Sequence, residues 1–285
     1  MGGGAMTIEY RRMTRADLNL AIDWAAEEGW NPGRDDGDPF FAADRDGFHM
    51  ATVDGKPAAV ISAVRYGKGF AFIGFYIAKP EFRGKGIGWG LWNYAMETLK
   101  GRVVGLDGVV DQQENYAKSG FELAHRNIRM SGISITDTPM DPRLSMIGRG
   151  LYPSVKAYDR PFFPDERGSF LAAWLTPEEN RRGFALVEDG DVKGYGVIRA
   201  CLDGFKIGPL LADTEAGADT LFRALAGMVR GQEVILDIPE TNKAAQTLAE
   251  RYELSPVFET ARMYRGPRPD LPLKRTFGIT TFELG

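Results

Sequence analysis

The sequence predicts an α/β (α+β) chain built from two related halves, each a set of strands flanked by helices. Three observations predict it. Apolar runs of strand length alternate with helix-length stretches. Short glycine-bearing turns join neighbouring strands as hairpins. The same order of elements then occurs a second time.

The first half opens on a strand from Ile8 to Met13, followed by the helix-start pattern Thr14-x-x-Asp17. Leu18, Ala21, Ile22 and Ala25 give that helix its apolar stripe. Asn31 to Pro39 is rich in Gly, Pro and Asp and predicts a loop. His49–Val53, Pro57–Arg65 and Phe70–Ala78 predict strands, with Asp54-Gly55 and Gly67-Lys68-Gly69 as turns. Gly88–Lys100 predicts a helix whose Leu91, Trp92, Ala95, Met96 and Leu99 face a core. A buried-type strand from Arg102 to Val109, a short helix from Asn115 to Ser119 and an extended run from Phe121 to Ser131 complete the half.

Residues 136–153 lack clear periodicity and carry several Pro, Gly and Asp residues, so they are read as a linker between units 6–135 and 154–285. The second half predicts a short helix at Phe170–Leu175 and another capped by Thr176-Pro177-Glu178-Glu179. Strands at Phe184–Val187, Lys193–Arg199 and Phe205–Leu211, a helix at Thr220–Val229, a strand at Glu233–Ile238 and a helix at Ala244–Arg251 follow. Two last strands end in Thr276–Leu284.

Composition bounds the function. The 285 residues are 44% hydrophobic and 26% charged, which is ordinary for a globular protein and enough for a sizeable core. A formal net charge of -4 offers no basic field for nucleic acid or anionic membrane and mildly favours a cationic partner. No apolar run approaches the roughly 20 residues of a membrane helix. The glycine-rich Met1–Met6 has no signal-peptide apolar stretch, so a cytoplasmic address is expected. Cys201 is the lone cysteine, which excludes an internal disulfide and reads as a small buried hydrophobe. Two histidines and one cysteine supply no metal-ligand spacing.

The two halves align through Ile73-Gly74 with Ile207-Gly208 and Leu106-Asp107 with Leu236-Asp237. The first pair is offset by 134 residues and the second by 130, so the second half has lost four residues between these marks. The loss falls on the segment Pro80-Glu81-Phe82-Arg83-Gly84-Lys85-Gly86-Ile87-Gly88, whose counterpart is roughly Ala212 to Gly217.

Arg83-Gly84-Lys85-Gly86-Ile87-Gly88 follows a strand and opens a helix. Backbone N–H groups at a helix N-terminus, unobstructed by side chains and flanked by Arg83 and Lys85, form an anion site suited to a pyrophosphate. The spacing fits neither the P-loop nor the Rossmann fingerprint. It resembles the R-x-x-G-x-G/A loop of the GNAT superfamily of N-acetyltransferases, and Tyr116-Ala117-Lys118-Ser119-Gly120-Phe121 resembles that family's Y-x-K-x-G-F ending. The second half resembles the C-terminal domain of tandem GNAT-like bacterial proteins through Gly208–Asp213, Leu236–Asn242 and the Phe282-Glu283-Leu284-Gly285 terminus.

The resemblance implies, in each half, a mixed, mostly antiparallel twisted sheet, splayed open after its fourth strand. It implies acetyl-CoA as acyl donor, with pantetheine against the main chain of Tyr76, Ile77 and Ala78, the pyrophosphate on Arg83, Gly84, Lys85, Gly86, Ile87 and Gly88, and Asn115 as a further contact. Tyr116 matches the general acid that protonates the departing thiolate. The acceptor would be a primary amine of a small molecule or peptide, with no metal, nucleic acid or membrane involved. Relatives often carry a base Glu on the fourth strand, but Phe70–Lys79 contains no Asp or Glu. Glu28, Asp46 and Asp111, with His49 and Asp107, remain open as bases; a structural role is favoured for Asp107, which recurs as Asp237, and for His49 beside an apolar strand. Two alternatives also stay open: a non-catalytic acyl-CoA-binding regulatory module, and a second CoA site in the C-terminal half, where Asn242 matches a frequent cofactor contact.

Overall fold

In a computed structural model the chain is described over residues 6–285; residues 1–5, most of the glycine-rich start, lie outside the described part. The first half runs β1 (Ile8–Arg12), α1 (Arg15–Glu27), α2 (Gly37–Ala43), β2 (Phe48–Val53), β3 (Lys56–Tyr66), β4 (Phe70–Ala78), α3 (Ile87–Glu97), β5 (Val103–Val109), α4 (Gln113–Lys118) and β6 (Glu122–Ile133). The second runs β7 (Leu144–Met146), α5 (Tyr152–Asp159), α6 (Gly168–Trp174), β8 (Arg181–Glu188), β9 (Asp191–Ala200), β10 (Phe205–Ala212), α7 (Glu215–Gly227), β11 (Glu233–Pro239), α8 (Lys243–Arg251), β12 (Ser255–Arg265) and β13 (Thr276–Gly278). No helix among the described residues is long and apolar enough to cross a membrane.

Local signals place the elements. The Thr14 hydroxyl accepts from the Asp17 N–H at 3.2 Å while the Asp17 carboxylate accepts from the Thr14 N–H at 2.8 Å, a complete capping box that starts α1. The α3 face Ile87, Leu91, Trp92, Ala95 is buried against the inner strands of the first half. In the second half α7 does the same with Ala218, Leu221, Phe222 and Leu225. Truncating any of these leucines to Ala costs about 2–5 kcal/mol.

All the strands join one sheet, in the order β1-β2-β3-β4-β5-β12-β6-β11-β10-β9-β8-β7, with β13 added beside β10. Most pairs are antiparallel; β4–β5 and β10–β11 are parallel. The halves exchange their last strands: β12 of the second pairs with β5 of the first, and β6 of the first pairs with β11 of the second. Two buried ion pairs mark the exchange. Arg262 on β12 holds Asp107 on β5 in a bidentate pair at 2.6 and 2.8 Å. Arg129 on β6 holds Asp237 on β11 at 2.7 and 2.8 Å. The recurrence of Asp107 as Asp237 is thus a repeated arginine clamp across the halves.

Four stretches differ from the sequence reading. The expected loop at Asn31–Pro39 gives way to α2 at Gly37, because Pro39 sits in a first turn, where its missing N–H costs nothing, and Phe40 is buried against Phe75 and Trp174. The Thr176–Glu179 pattern caps no helix; the backbones of Glu178 and Arg181 bond to each other and turn the chain into β8. The 136–153 stretch contributes β7, which pairs with β8, and α5 follows at once. Of Thr276–Leu284 only Thr276–Gly278 is strand; the rest is a tail held by Thr281, whose hydroxyl accepts from the Leu284 N–H, and by Tyr66, whose hydroxyl donates to the Leu284 carbonyl.

His49 on β2 and His125 on β6 are buried, and both His49 ring nitrogens lack a partner among the described residues. Burial lowers their pKa values to about 4 and about 3. Both rings are neutral in the folded state, whereas an unfolded histidine takes up a proton below about 6.5. Their contribution is therefore complete above pH 6.5 and is lost as pH falls from 6.5 towards 4, at up to about 1.4 kcal/mol per pH unit for each ring. Urea midpoints measured from pH 7 to pH 5 should fall less steeply for His49→Leu than for the natural chain.

Candidate functional site

The site begins with a bulge. Opposite the single residue Ile61 of β3, β4 carries two, Phe75 and Tyr76, since Ser62 pairs with Gly74 and Val60 with Ile77. Phe75 adopts φ +48°, rare for a bulky residue and costing about 1–3 kcal/mol, and its buried ring against Phe40 holds it there. The bulge turns β4 away from β5: their parallel pairing ends at Ile73–Leu106. Beyond it the two strands part into a wedge, and the β5-facing main chain of residues 74–78 has no strand partner among the described residues.

At the mouth of the wedge stands the N-terminus of α3. Gly86 is its N-cap at φ +77° and no side chain caps the helix. The first-turn N–H groups therefore point outward at the positive end of the helix dipole. Gly86 is required by its left-handed backbone, since a Cβ would meet nothing yet be strained there. The Arg83 guanidinium lies over the mouth, donating to the Ala78 carbonyl at 2.8 Å and pairing with Glu28. Lys85 extends over the Phe82 ring at 5.8 Å.

The wedge opens into a cavity of about 630 Å³ that runs from Arg83, Gly84, Gly86 and Gly88 past Tyr76, Ile77 and Ala78 to Tyr116 and on to Trp30, Arg129, Phe258, Phe282 and Glu283. Tyr116 comes from α4, its ring 5.7 Å from Trp92. It lies so close over β5 that a Cβ on Gly108 would fall 2.4 Å from the ring. Burial pushes its hydroxyl up to about 12, so the phenol stays protonated and able to donate through the neutral range. Tyr76 is raised to about 12 by the same cause.

The candidate residues distribute unevenly. Tyr76, Ile77, Ala78, Arg83, Gly84, Gly86, Gly88, Tyr116, Glu28 and Asp107 line the cavity. Ile87 turns its side chain into the core, leaving only main chain to the mouth. Asn115 is exposed on α4 and bonds Gln112 instead of facing the cavity. Among the bases, Asp46 pairs with Arg12 at 3.0 Å away from the cleft. Asp111 is exposed outside the lining, and His49 is sealed in the core against Tyr94. Asp107 is engaged by Arg262 and by the Asn127 amide at 2.8 Å. The far wall was not anticipated: Arg129, Phe258, Phe282 and Glu283 come from β6, β12 and the tail. The Phe282-Glu283-Leu284-Gly285 terminus carried the only signal, and only as a feature of the second half.

The second half has the same plan with the wedge closed. β10 is bulged at Gly208-Pro209, and its pairing with β11 ends at Ile207–Leu236. Beyond that point β13 fills the gap, pairing Gly278 with Leu210, and the Ile279 N–H bonds the Asp237 carbonyl. Asn242, open in the sequence as a second cofactor contact, donates instead to the Leu273 and Thr276 carbonyls at 3.1 and 2.8 Å and holds this insert. The helix end has changed too. The Thr214 hydroxyl accepts from the Gly217 N–H at 3.1 Å, and Glu215 puts an anion in the first turn of α7. Among the described residues, this half therefore has neither the open wedge nor the uncapped helix N-terminus of the first half.

Comparison with known proteins agrees with this plan. The profile described as the Acetyltransferase (GNAT) family matches residues 16–121, and that of an Acetyltransferase (GNAT) domain matches residues 155–278. A holothin acyltransferase of Pseudoalteromonas sp. (strain SANK 73390) is 33% identical over 270 residues, covering 94% of this chain and 92% of the relative. A putative acetyltransferase from Pyrococcus horikoshii shares the fold with a TM-score of 0.80 at 22% identity, covering 100% of this chain and 98% of that one. A tandem GNAT protein from the clavulanic acid biosynthesis pathway shares it with a TM-score of 0.62 at 14% identity, covering 92% of this chain and 100% of that one.

Proposed function

Because the chain belongs to the GNAT superfamily, as an N-acyltransferase of the tandem kind, we propose that it transfers an acetyl group from acetyl-CoA to a primary amine of a small molecule or peptide, by direct attack and in the cytoplasm. The observation that carries this reading is the continuous path from the uncapped α3 N-terminus, along the splayed edge of β4, to Tyr116. Acetyl-CoA supplies the thioester whose acyl group moves to nitrogen. The main-chain groups of Tyr76, Ile77 and Ala78 hold the pantetheine arm as a strand would be held. N–H groups of residues 86–88 with Arg83 and Lys85 take the pyrophosphate. A main-chain N–H at Ile77 or Ala78 stabilises the oxyanion. Tyr116 donates to the departing sulfur. Residues 6–135 supply these groups; residues 154–285, joined through 136–153, close the acceptor side. The name of the 33% identical relative makes holothin a first acceptor to try.

Calorimetric titration with acetyl-CoA tests the donor site. Arg83→Ala/Gly86→Asp removes a charge-assisted contact and adds a carboxylate and backbone strain, so affinity should fall at least about tenfold. Equal affinity in both proteins would overturn the donor assignment. Free-thiol release with a panel of amines separates an enzyme from a regulatory acyl-CoA binder, since a binder releases none above the hydrolysis background.

A further inference from the structure

We propose that the carboxylate missing from β4 is supplied by the C-terminal tail, with Glu283 receiving the proton of the acceptor amine. The proposal rests on the acetyl-transfer reading above and adds its acceptor-side catalyst. Gly74 is the β4 residue just before the bulge, where the strands part. The space its side chain would take is filled by the tail: a Cβ on Gly74 would lie 2.0 Å from the Glu283 carbonyl oxygen and 3.0 Å from its Cα. The absent side chain at Gly74 thus admits another segment bearing a Glu.

Glu283 is 4% exposed, yet it lines the cavity. Among the described residues its carboxylate has neither an ion-pair nor a hydrogen-bond partner. The other carboxylates of the cavity are engaged, Glu28 with Arg83 and Asp107 with Arg262. Arg129 on β6, Arg199 on β9 and Lys206 on β10 lie close enough to Glu283 for direct charge interaction. Arg129 and Arg199 are held by Asp237 and Asp36, and Lys206 donates to the Trp30 carbonyl at 2.9 Å. Phe258, Phe282 and Trp30 wall the same end.

The ammonium of the acceptor gives one proton to Glu283, which passes it to solvent. The freed nitrogen lone pair attacks the thioester carbonyl, the N–C bond forms and the C–S bond breaks. The second proton lost from nitrogen balances the one that Tyr116 gives to sulfur.

The test uses the full chain, acetyl-CoA and the fastest amine of the panel. Glu283→Gln keeps the shape of the tail and should lower kcat about 10²–10⁴-fold at pH 7. Its rate should climb about tenfold per pH unit as solvent supplies the free amine, while the natural chain levels off earlier. Glu283→Asp should recover part of the loss, and acetyl-CoA affinity should stay within twofold throughout. A Gln variant with kcat within threefold and an unchanged pH profile would overturn the proposal and leave the tail a packing role. Loss of acetyl-CoA affinity in Glu283→Gln would also count against it. Failure of the donor reading is seen separately, in the Arg83→Ala/Gly86→Asp titration.

Discussion

Tyr116→Phe should lower kcat about 10²–10⁴-fold while leaving acetyl-CoA affinity nearly unchanged. The hydroxyl is the only atom removed, and no protein group among the described residues is hydrogen-bonded to it, so the fold loses no contact. The ring keeps its place between Trp92 and Gly108. What disappears is a donor that burial holds protonated, with its pKa up to about 12. The departing thiolate, with an ordinary pKa near 8.5 by analogy with cysteine, then leaves without one. Steady-state kinetics with two donors check the assignment: an acyl donor with a more acidic thiol should lose less than acetyl-CoA does. An equal loss with both would assign Tyr116 to positioning.

Arg262→Met should lower the unfolding free energy by about 3–5 kcal/mol, because it breaks a buried ion pair. Asp107 has no side-chain exposure, and its two oxygens are matched to the Arg262 fork. Without the guanidinium a buried carboxylate keeps only the Asn127 amide. It must then stay charged without a counter-ion or take up a proton. The Arg262 plane also lies 5.0 Å from the Phe72 ring centroid, a contact that Met only partly replaces. Asp107→Leu/Arg262→Met removes both charges and should recover most of the loss, because two matched ions replaced by apolar groups leave no orphan. Denaturant unfolding of the three proteins decides it, and a double variant as weak as the single one would sink the clamp interpretation.

Contiguous features were legible in the sequence. The glycine loop at the α3 N-terminus reads directly because strand, glycines and helix follow one another within a few residues. Tyr116 reads because its neighbours through Phe121 form one short turn. The repeat reads because Gly74 and Gly208, and Asp107 and Asp237, keep their order. Strand partners did not read, because period-two patterning tells which face of a strand is buried and not which strand lies beside it. The exchange of β6 and β12 was invisible for that reason. So was Glu283, which is brought to Gly74 by a tail whose path depends on β13 filling the opposite wedge. The Thr176 cap failed because a capping residue favours a helix only where an apolar face follows to be buried, and Arg181–Glu188 instead has a place in the sheet.

The exchanged strands set the timetable of synthesis. β5 emerges from the ribosome without its neighbour, since Val109 pairs with Thr260. Until β12 is made, the β5 edge stays open, Asp107 has no arginine, and β6 lacks one of its two flanking strands. Long-range pairing of this kind folds slowly and leaves edges free to pair wrongly. The nascent first half is therefore the species on which a chaperone has most to act, and a stall before β12 strands a chain that cannot complete either half.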